Sequence, residues 1–191
     1  MKTPKRQISF LERKEVEKII SAIKPEGSRN LRDRALIEVL FSTGMRISEA
    51  LALKRELFAI ADDRIAISPK ITKELSIIGK GGWQRCIFFS PQAIKAIRCW
   101  LNVRVDNEPR LFPITPRGAQ KIVIERAKAA GITKRVTPHV FRHSLATDLL
   151  KRGVDIAFVS KFLGHRSLNT TMIYAHIVSP QLKQIHEKLY K

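Results

Sequence analysis

The sequence predicts a mixed α+β fold, mostly helical, with a small three-stranded antiparallel sheet. Three observations predict it. Ser-Pro or Thr-Pro pairs open segments at Ser90, Thr115, Thr137 and Ser179, and glycines close others at Gly44, Gly131, Gly153 and Gly164. Proline suits a first helical turn, where its missing N–H would be unpaired anyway, and glycine accepts the left-handed cap. Between residues 57 and 89 the helical period disappears and short β-prone runs, RIAI, LSII and RCIFF, replace it. Finally, 44% of the 191 residues are apolar, enough to build one core without a disulfide or metal staple.

Each element follows in order. Residues 1–9 read as a basic lead-in. Val16, Ile19, Ile20 and Ile23 recur at helical spacing, with Ser9 and Glu12 as the candidate capping box and Pro25 and Gly27 as the stop. A second helix starts near Asn30, carries Leu36 and Leu40, and ends at Gly44. A third runs from about Arg46 through Leu53. GKGG at 79–82 separates LSII from RCIFF as a hairpin tip does. Helices return at Ser90, Thr115 and Thr137. A short helix capped by Ser167 carries Tyr174, and a last one begins at Ser179-Pro180. The chain thus divides into a lead-in (1–9), one main domain (10–178) and a C-terminal helix (179–191).

Charge narrows the function. Lys and Arg number 36 against 17 Asp and Glu, a net +19, which points to a polyanionic partner, most often nucleic acid. Cys86 and Cys99 are the only cysteines, too few for a disulfide framework and in keeping with a reducing interior. MKTPKRQISF has the charge of a signal peptide but no apolar stretch behind it, and no run approaches the ~18 apolar residues of a membrane span. The expectation is a soluble cytoplasmic protein associated with the nucleoid.

Four polar stretches resist a core-or-surface reading. In TGMRISEALAL, Arg46 follows a helix-stopping glycine among apolar residues, and Glu49 is placed to pair with it. Alone, such an arginine is usually a snorkelling or ion-paired side chain. Lys80 rides the Gly-rich tip of IIGKGGWQR. A lysine there is ordinarily just solvated, yet a tip can carry a cation into a groove, and without GxxxxGK[ST] it is no nucleotide loop. In TPHVFRHSLATDLL, His139 and Arg142 lie within the first turn or so of a helix, where free N–H groups favour an anion. His139 and His143 have the spacing of a helical metal pair, but no third ligand stands at a matching spacing, so no metal is expected. In FLGHRSLNTTMIYAHI, His165 follows Gly164, and Tyr174 comes nine residues later among apolar neighbours that also suit a half-buried core tyrosine.

Taken together, two arginines, a lysine, two histidines and a tyrosine suit attack on a phosphodiester by tyrosine. A phenol with an ordinary pKa near 10 needs help to attack at neutral pH. Arginine forks hold the developing charge on the non-bridging oxygens and stay protonated. The departing sugar oxygen needs a general acid, which Lys or His can supply.

On TGMRISEAL, IIGKGGWQR, HVFRHSLATDLLKRG and FLGHRSLNTTMIYAH, the chain resembles the tyrosine recombinases, or phage-type integrases, most of all their Xer-like branch. The resemblance spans roughly residues 10–180. It implies the tyrosine recombinase catalytic-domain fold over 10–178 and a site-specific DNA recombinase that needs neither metal nor ATP, hence no cofactor. It also implies the residue roles. Arg46 and Arg142 would clamp the scissile phosphate, and Lys80 would protonate the leaving 5′ oxygen. His139 would accept the tyrosine proton or order the site, and His165 would hydrogen-bond the phosphate. Tyr174 would form a 3′-phosphotyrosyl link, and Glu49 would support from behind. Double-stranded DNA is the implied partner, with self-association into a synaptic tetramer and a C-terminal helix able to dock in trans. Two departures stand out. The N-terminal core-binding domain usual in the family is expected to be absent, and Trp83 stands where a basic or polar residue is common. The rivals are a type IB topoisomerase-like enzyme and a catalytically silent DNA-binding regulator.

Overall fold

In chain order the elements are α1 (Arg13–Ser21), α2 (Gly27–Thr43), α3 (Ile47–Leu51), a 3-10 turn (Arg55–Phe58), β1 (Lys73–Ile78), β2 (Gln84–Phe89), α4 (Pro91–Asn102), α5 (Pro116–Ala129), α6 (Pro138–Lys151) and α7 (Ile156–Leu163). They come from a computed structural model that describes residues 9–58, 73–78, 84–164, Thr171 and Tyr174.

α2 is the central element. Ala35, Leu36, Ile37, Val39 and Leu40 are all fully buried, so the helix has no solvent stripe over its second half. A helix apolar all round must be covered on every side. It packs against α1, α3, α4, α5, α6 and β2. α6 has the same character, burying Val140, Phe141, Leu145, Ala146 and Leu150, and with them the charged Arg142. α1 is the opposite case. Its buried residues Val16, Ile19 and Ile20 lie along one face. Each fully buried side chain of that size is worth about 1.5–3 kcal/mol, more than the ~1 kcal/mol of a cap. Packing therefore holds α1 in place, and the cap decides where it starts.

That start differs from the sequence expectation. The N-cap is Glu12, and the Glu15 carboxylate reaches back to the Glu12 amide at 2.7 Å, so the box sits three residues later than Ser9 with Glu12. α2 begins at Gly27, in the left-handed region at φ 74°, rather than near Asn30. Gly27 thus opens a helix where the sequence suggested that it closes one. Thr137 takes its N-cap place without a side-chain bond, and four other caps match their signals. Ser90 and Thr115 accept from the amides of Ala93 and Gly118 at 3.1 and 3.0 Å, and Gly44 and Gly164 take left-handed caps at φ 60° and 68°.

LSII and RCIFF fall in β1 and β2, which pair antiparallel from Lys73 opposite Phe89 to Ile78 opposite Gln84. The described sheet holds these two strands. RIAI (64–67) and GKGG (79–82), expected as a third strand and the hairpin tip, lie outside the described residues, as do Ser167 and the C-terminal segment 179–191. Along β2, Arg85, Ile87 and Phe89 alternate with the exposed Cys86 and Phe88, which puts Arg85 on the core-facing side. Among the described residues, no helix is long and apolar enough to cross a membrane.

Candidate active site

Three helix ends meet beside β2. α2 stops at Gly44 because a left-handed turn is needed there, and a Cβ would stand 2.7 Å from Leu163 Cδ2 and 3.0 Å from Leu145 Cδ2. The turn delivers Arg46 as the N-cap of α3. Glu49 then folds back on that end, accepting from the Arg46 amide at 2.9 Å and from Arg46 Nη1 at 3.0 Å. The Arg46–Glu49 pair expected from spacing is therefore formed, and it doubles as a helix cap.

Arg142 rises from α6 into the gap. Its Nη1 donates to the Gly44 carbonyl and its Nη2 to the Leu163 carbonyl, both at 2.6 Å. Those carbonyls end α2 and α7, where helix dipoles are negative and a cation is favoured. Arg142 thus bridges two helix C-termini rather than serving the N-terminus of its own helix. A guanidinium carries five N–H donors, so this arrangement leaves others free for a ligand.

Arg85 completes the cluster, and sequence reasoning assigned it no role. Its Nη2 donates to Glu49 Oε2 at 2.8 Å, and its Nη1 donates to the same Leu163 carbonyl that Arg142 uses. Its Nε is buried with no hydrogen-bond partner among the described residues. The available signal was the alternation of RCIFF, which seats a charged residue on the apolar face of a strand.

Two of these three guanidiniums pair with Glu49 and the third, Arg142, bonds only backbone carbonyls, a surplus of two positive charges at a largely buried place. The strain shows in titration. Burial, then Arg46 and Arg85, lower the Arg142 pKa to about 10, still fully protonated at neutral pH. Burial likewise lowers that of Arg85. Such a pocket favours an anion with several oxygens, because removing like-charge repulsion adds to the hydrogen bonds formed.

Tyr174 lies beside this cluster. It is 2% exposed and packs with Leu145, Ala146, Leu150, Val159 and Leu163. Its amide donates to the Thr171 carbonyl at 3.0 Å. Burial pushes the phenol up to about 12, partly countered by Arg142. Its hydroxyl is hydrogen-bonded to Nδ1 of His143, the residue after Arg142. Of the two α6 histidines, His139 is exposed at the first turn and His143 is the one on the tyrosine. The structure therefore gathers Arg46, Glu49, Arg142 and Tyr174. Lys80 and His165 lie outside the described residues. Among the described residues, no group of three His, Cys, Asp or Glu is placed to hold a metal ion.

The sequence matches the phage integrase family over residues 9–179. The chain belongs to that family. It is 36% identical over 169 residues to tyrosine recombinase XerC of Leptospira interrogans, covering 84% of this chain and 51% of that protein. It is 34% identical over 196 residues to XerA of Pyrococcus furiosus, covering 98% and 64%. The chain thus spans between half and two thirds of these relatives. Among solved structures, the XerA recombinase superposes with a TM-score of 0.72 at 28% identity, covering 98% of this chain and 67% of that one. XerH in a post-cleavage complex with its palindromic difH substrate gives 0.74 at 27%, covering 96% and 54%. The catalytic domain of bacteriophage HP1 integrase, at 19% identity and a TM-score of 0.60, shares the fold over 95% of both chains. The fold of this chain is accordingly the tyrosine recombinase catalytic-domain fold, mostly helical.

Proposed function

We propose that the chain is the catalytic part of a site-specific DNA recombinase, cleaving and rejoining strands through a 3′-phosphotyrosyl link on Tyr174. One observation carries this reading. Three arginine side chains around a single carboxylate stand next to a buried tyrosine, on a chain with a net charge of +19. The relatives named as recombinases and the XerH–difH complex support it.

In this reading Arg46 and Arg142 hold the non-bridging oxygens of the scissile phosphate in duplex DNA. Glu49 keeps Arg46 in place and moderates the charge. The Tyr174 oxygen attacks phosphorus, and the bond to the 5′ oxygen breaks. Lys80 gives that oxygen a proton, His165 hydrogen-bonds the phosphate, and His139 orders the site from the start of α6. A 5′ hydroxyl from a second duplex then displaces the tyrosine, so bond energy is conserved and no ATP or metal is used. We place the reaction in 10–178 and a third strand at RIAI beside β1. On paired sites four protomers form the synapse, with 179–191 docking on a neighbour, at the nucleoid in the cytoplasm.

The test is trapping on nicked duplexes of randomised sequence, in which the cleaved end diffuses away. The expected result is a covalent band on a denaturing gel, absent from Tyr174→Phe, with DNA affinity retained by that variant. A band of undiminished intensity from Tyr174→Phe removes Tyr174 as the nucleophile. Exchange of strands between two duplexes separates recombination from rejoining of the same strand.

A further inference from the structure

The proposed reaction gives tasks to Arg46 and Arg142 and leaves Arg85 without one. Yet Arg85 is costly to keep. Its side chain is 9% exposed, burial lowers its pKa, and its Nε is buried with no hydrogen-bond partner among the described residues. A buried cation short of partners destabilises a fold, and an apolar side chain of similar volume is often neutral or better in its place.

Both bonds that Arg85 makes end on groups that hold another arginine. Its Nη2 donates to Glu49 Oε2 at 2.8 Å, and Glu49 also accepts from the Arg46 amide and from Arg46 Nη1, at 2.9 and 3.0 Å. Its Nη1 donates to the Leu163 carbonyl, which also accepts from Arg142 Nη2 at 2.6 Å. Arg46, Glu49, Arg85, Leu163 and Arg142 therefore form one unbroken chain of bonds, with Arg85 as the middle link. The backbone leaves room for that link. A Cβ on Gly164 would stand 2.8 Å from Arg85 Cδ, so the residue that caps α7 is also the bare surface along which Arg85 reaches the carbonyl before it.

We propose that Arg85 is a positioning residue, a buried strut that sets the spacing and orientation of Arg46 and Arg142 without touching the phosphate. The role rests on the proposed phosphotyrosyl reaction, in which those two hold the non-bridging oxygens. Arg46 repels Arg142, enough to lower its pKa, and like charges left to themselves move apart. A planar fork with one arm on the partner of each fixes both at once. Lysine has the charge but not the fork. A clamp works by being in place before charge develops, so a strut acts on rate and little on DNA affinity.

The experiment uses the full chain and the nicked duplexes, with single-turnover attachment at saturating DNA measured beside DNA affinity. Arg85→Lys and Arg85→Met should attach about 10–10²-fold more slowly, the scale of a small misplacement of reacting groups. Arg85→Lys should bind DNA within about twofold of the wild type, since the charge is kept. Glu49→Ala cuts the same chain of bonds one link away, so adding Arg85→Met to it should cost far less than Arg85→Met alone. Nitrogen-15 relaxation of the guanidinium groups, read without DNA, should show Arg46 and Arg142 turning more freely in Arg85→Lys. Wild-type rates per folded molecule in both Arg85 variants make the residue a plain structural cation and overturn the proposal. A full Arg85→Met loss on top of Glu49→Ala makes it a phosphate ligand in its own right, which overturns it too. Unaltered guanidinium motion in Arg85→Lys removes the strut even where rates fall. If the wild type forms no adduct, the proposed reaction fails and this role with it.

Discussion

Arg104 and Arg142 are both buried arginines, and the difference between them separates a structural cation from a functional one. Arg104, just after α4, has a side chain with 0% exposure, and its partners match its charge. Nε and Nη2 donate to the Asp106 carboxylate, with the Glu108, Arg110 and Leu111 carbonyls and the Trp100 ring completing its surroundings. Asp106 in return is held at about 2, first by its bond to Arg104. That pair is charge-balanced. Arg142 has two backbone carbonyls, no carboxylate of its own, and two other guanidiniums close enough to lower its pKa. A fold gains nothing from burying that much like charge, so the comparison locates the place where a phosphate is expected.

Substitution should separate the two most sharply in rate. Arg142→Ala should slow covalent attachment by about 10²–10³, as loss of one preorganised donor does, and Arg142→Lys should rescue little because lysine lacks the fork. Arg104→Ala should instead lower the melting temperature, by about 2–4 °C for each kcal/mol lost at this chain length, while the rate per folded molecule stays put. Equal rate losses at both positions, in single-turnover assays on folded protein, would erase the distinction.

Glu49→Gln tests the charge surplus. Removing the one shared carboxylate should cost about 1–3 kcal/mol in chloride buffer. Inorganic sulfate should then raise the melting temperature of the variant more than that of the wild type. A variant indifferent to sulfate argues against an anion pocket. Gly44→Ala should cost somewhat more than about 1 kcal/mol, since it forces a Cβ into the left-handed region and against Leu163. It should also slow attachment by displacing the carbonyl that holds Arg142, whereas Gly153→Ala, with nothing within 4 Å of its Cβ, should change stability only.

The smallest effect is in pH. Burial lowers the His143 pKa, so the folded chain holds this ring neutral and stability is lost as pH falls below 6.5, where the unfolded chain binds the proton first. His143→Asn should flatten that acid decline in melting temperature. A decline unchanged by that variant assigns it to another group.

The helices were legible because their signals are local. Gly44, Gly164, Ser90 and Thr115 each decide a boundary through their own backbone or hydroxyl, whatever the rest of the chain does. The start of α1 was misplaced because Ser9, Glu12 and Glu15 offer two overlapping capping boxes, and packing of Val16 and Ile19 chooses between them. In the site, the Arg46–Glu49 pair was readable from spacing within one turn. The meeting of Arg142 with Gly44 and Leu163 was not, since it joins residues 98 and 21 apart in sequence. The spacing of His139 and His143 is visible in the sequence and suggests a metal pair, whereas the approach of His143 to Tyr174, 31 residues away, is not. Arg85 was passed over in the motif that contained it, although its place on the inward side of a strand was a usable cue.

The most direct test of the account is to map the covalent adduct. Wild-type chain trapped on nicked duplex DNA would be digested, and the nucleotide-bearing peptide sequenced by mass spectrometry. The account predicts one modified residue, Tyr174, joined through a 3′ phosphate, with a free 5′ hydroxyl on the released strand. A nucleotide on any other residue, or a 5′-phosphate linkage, would contradict it.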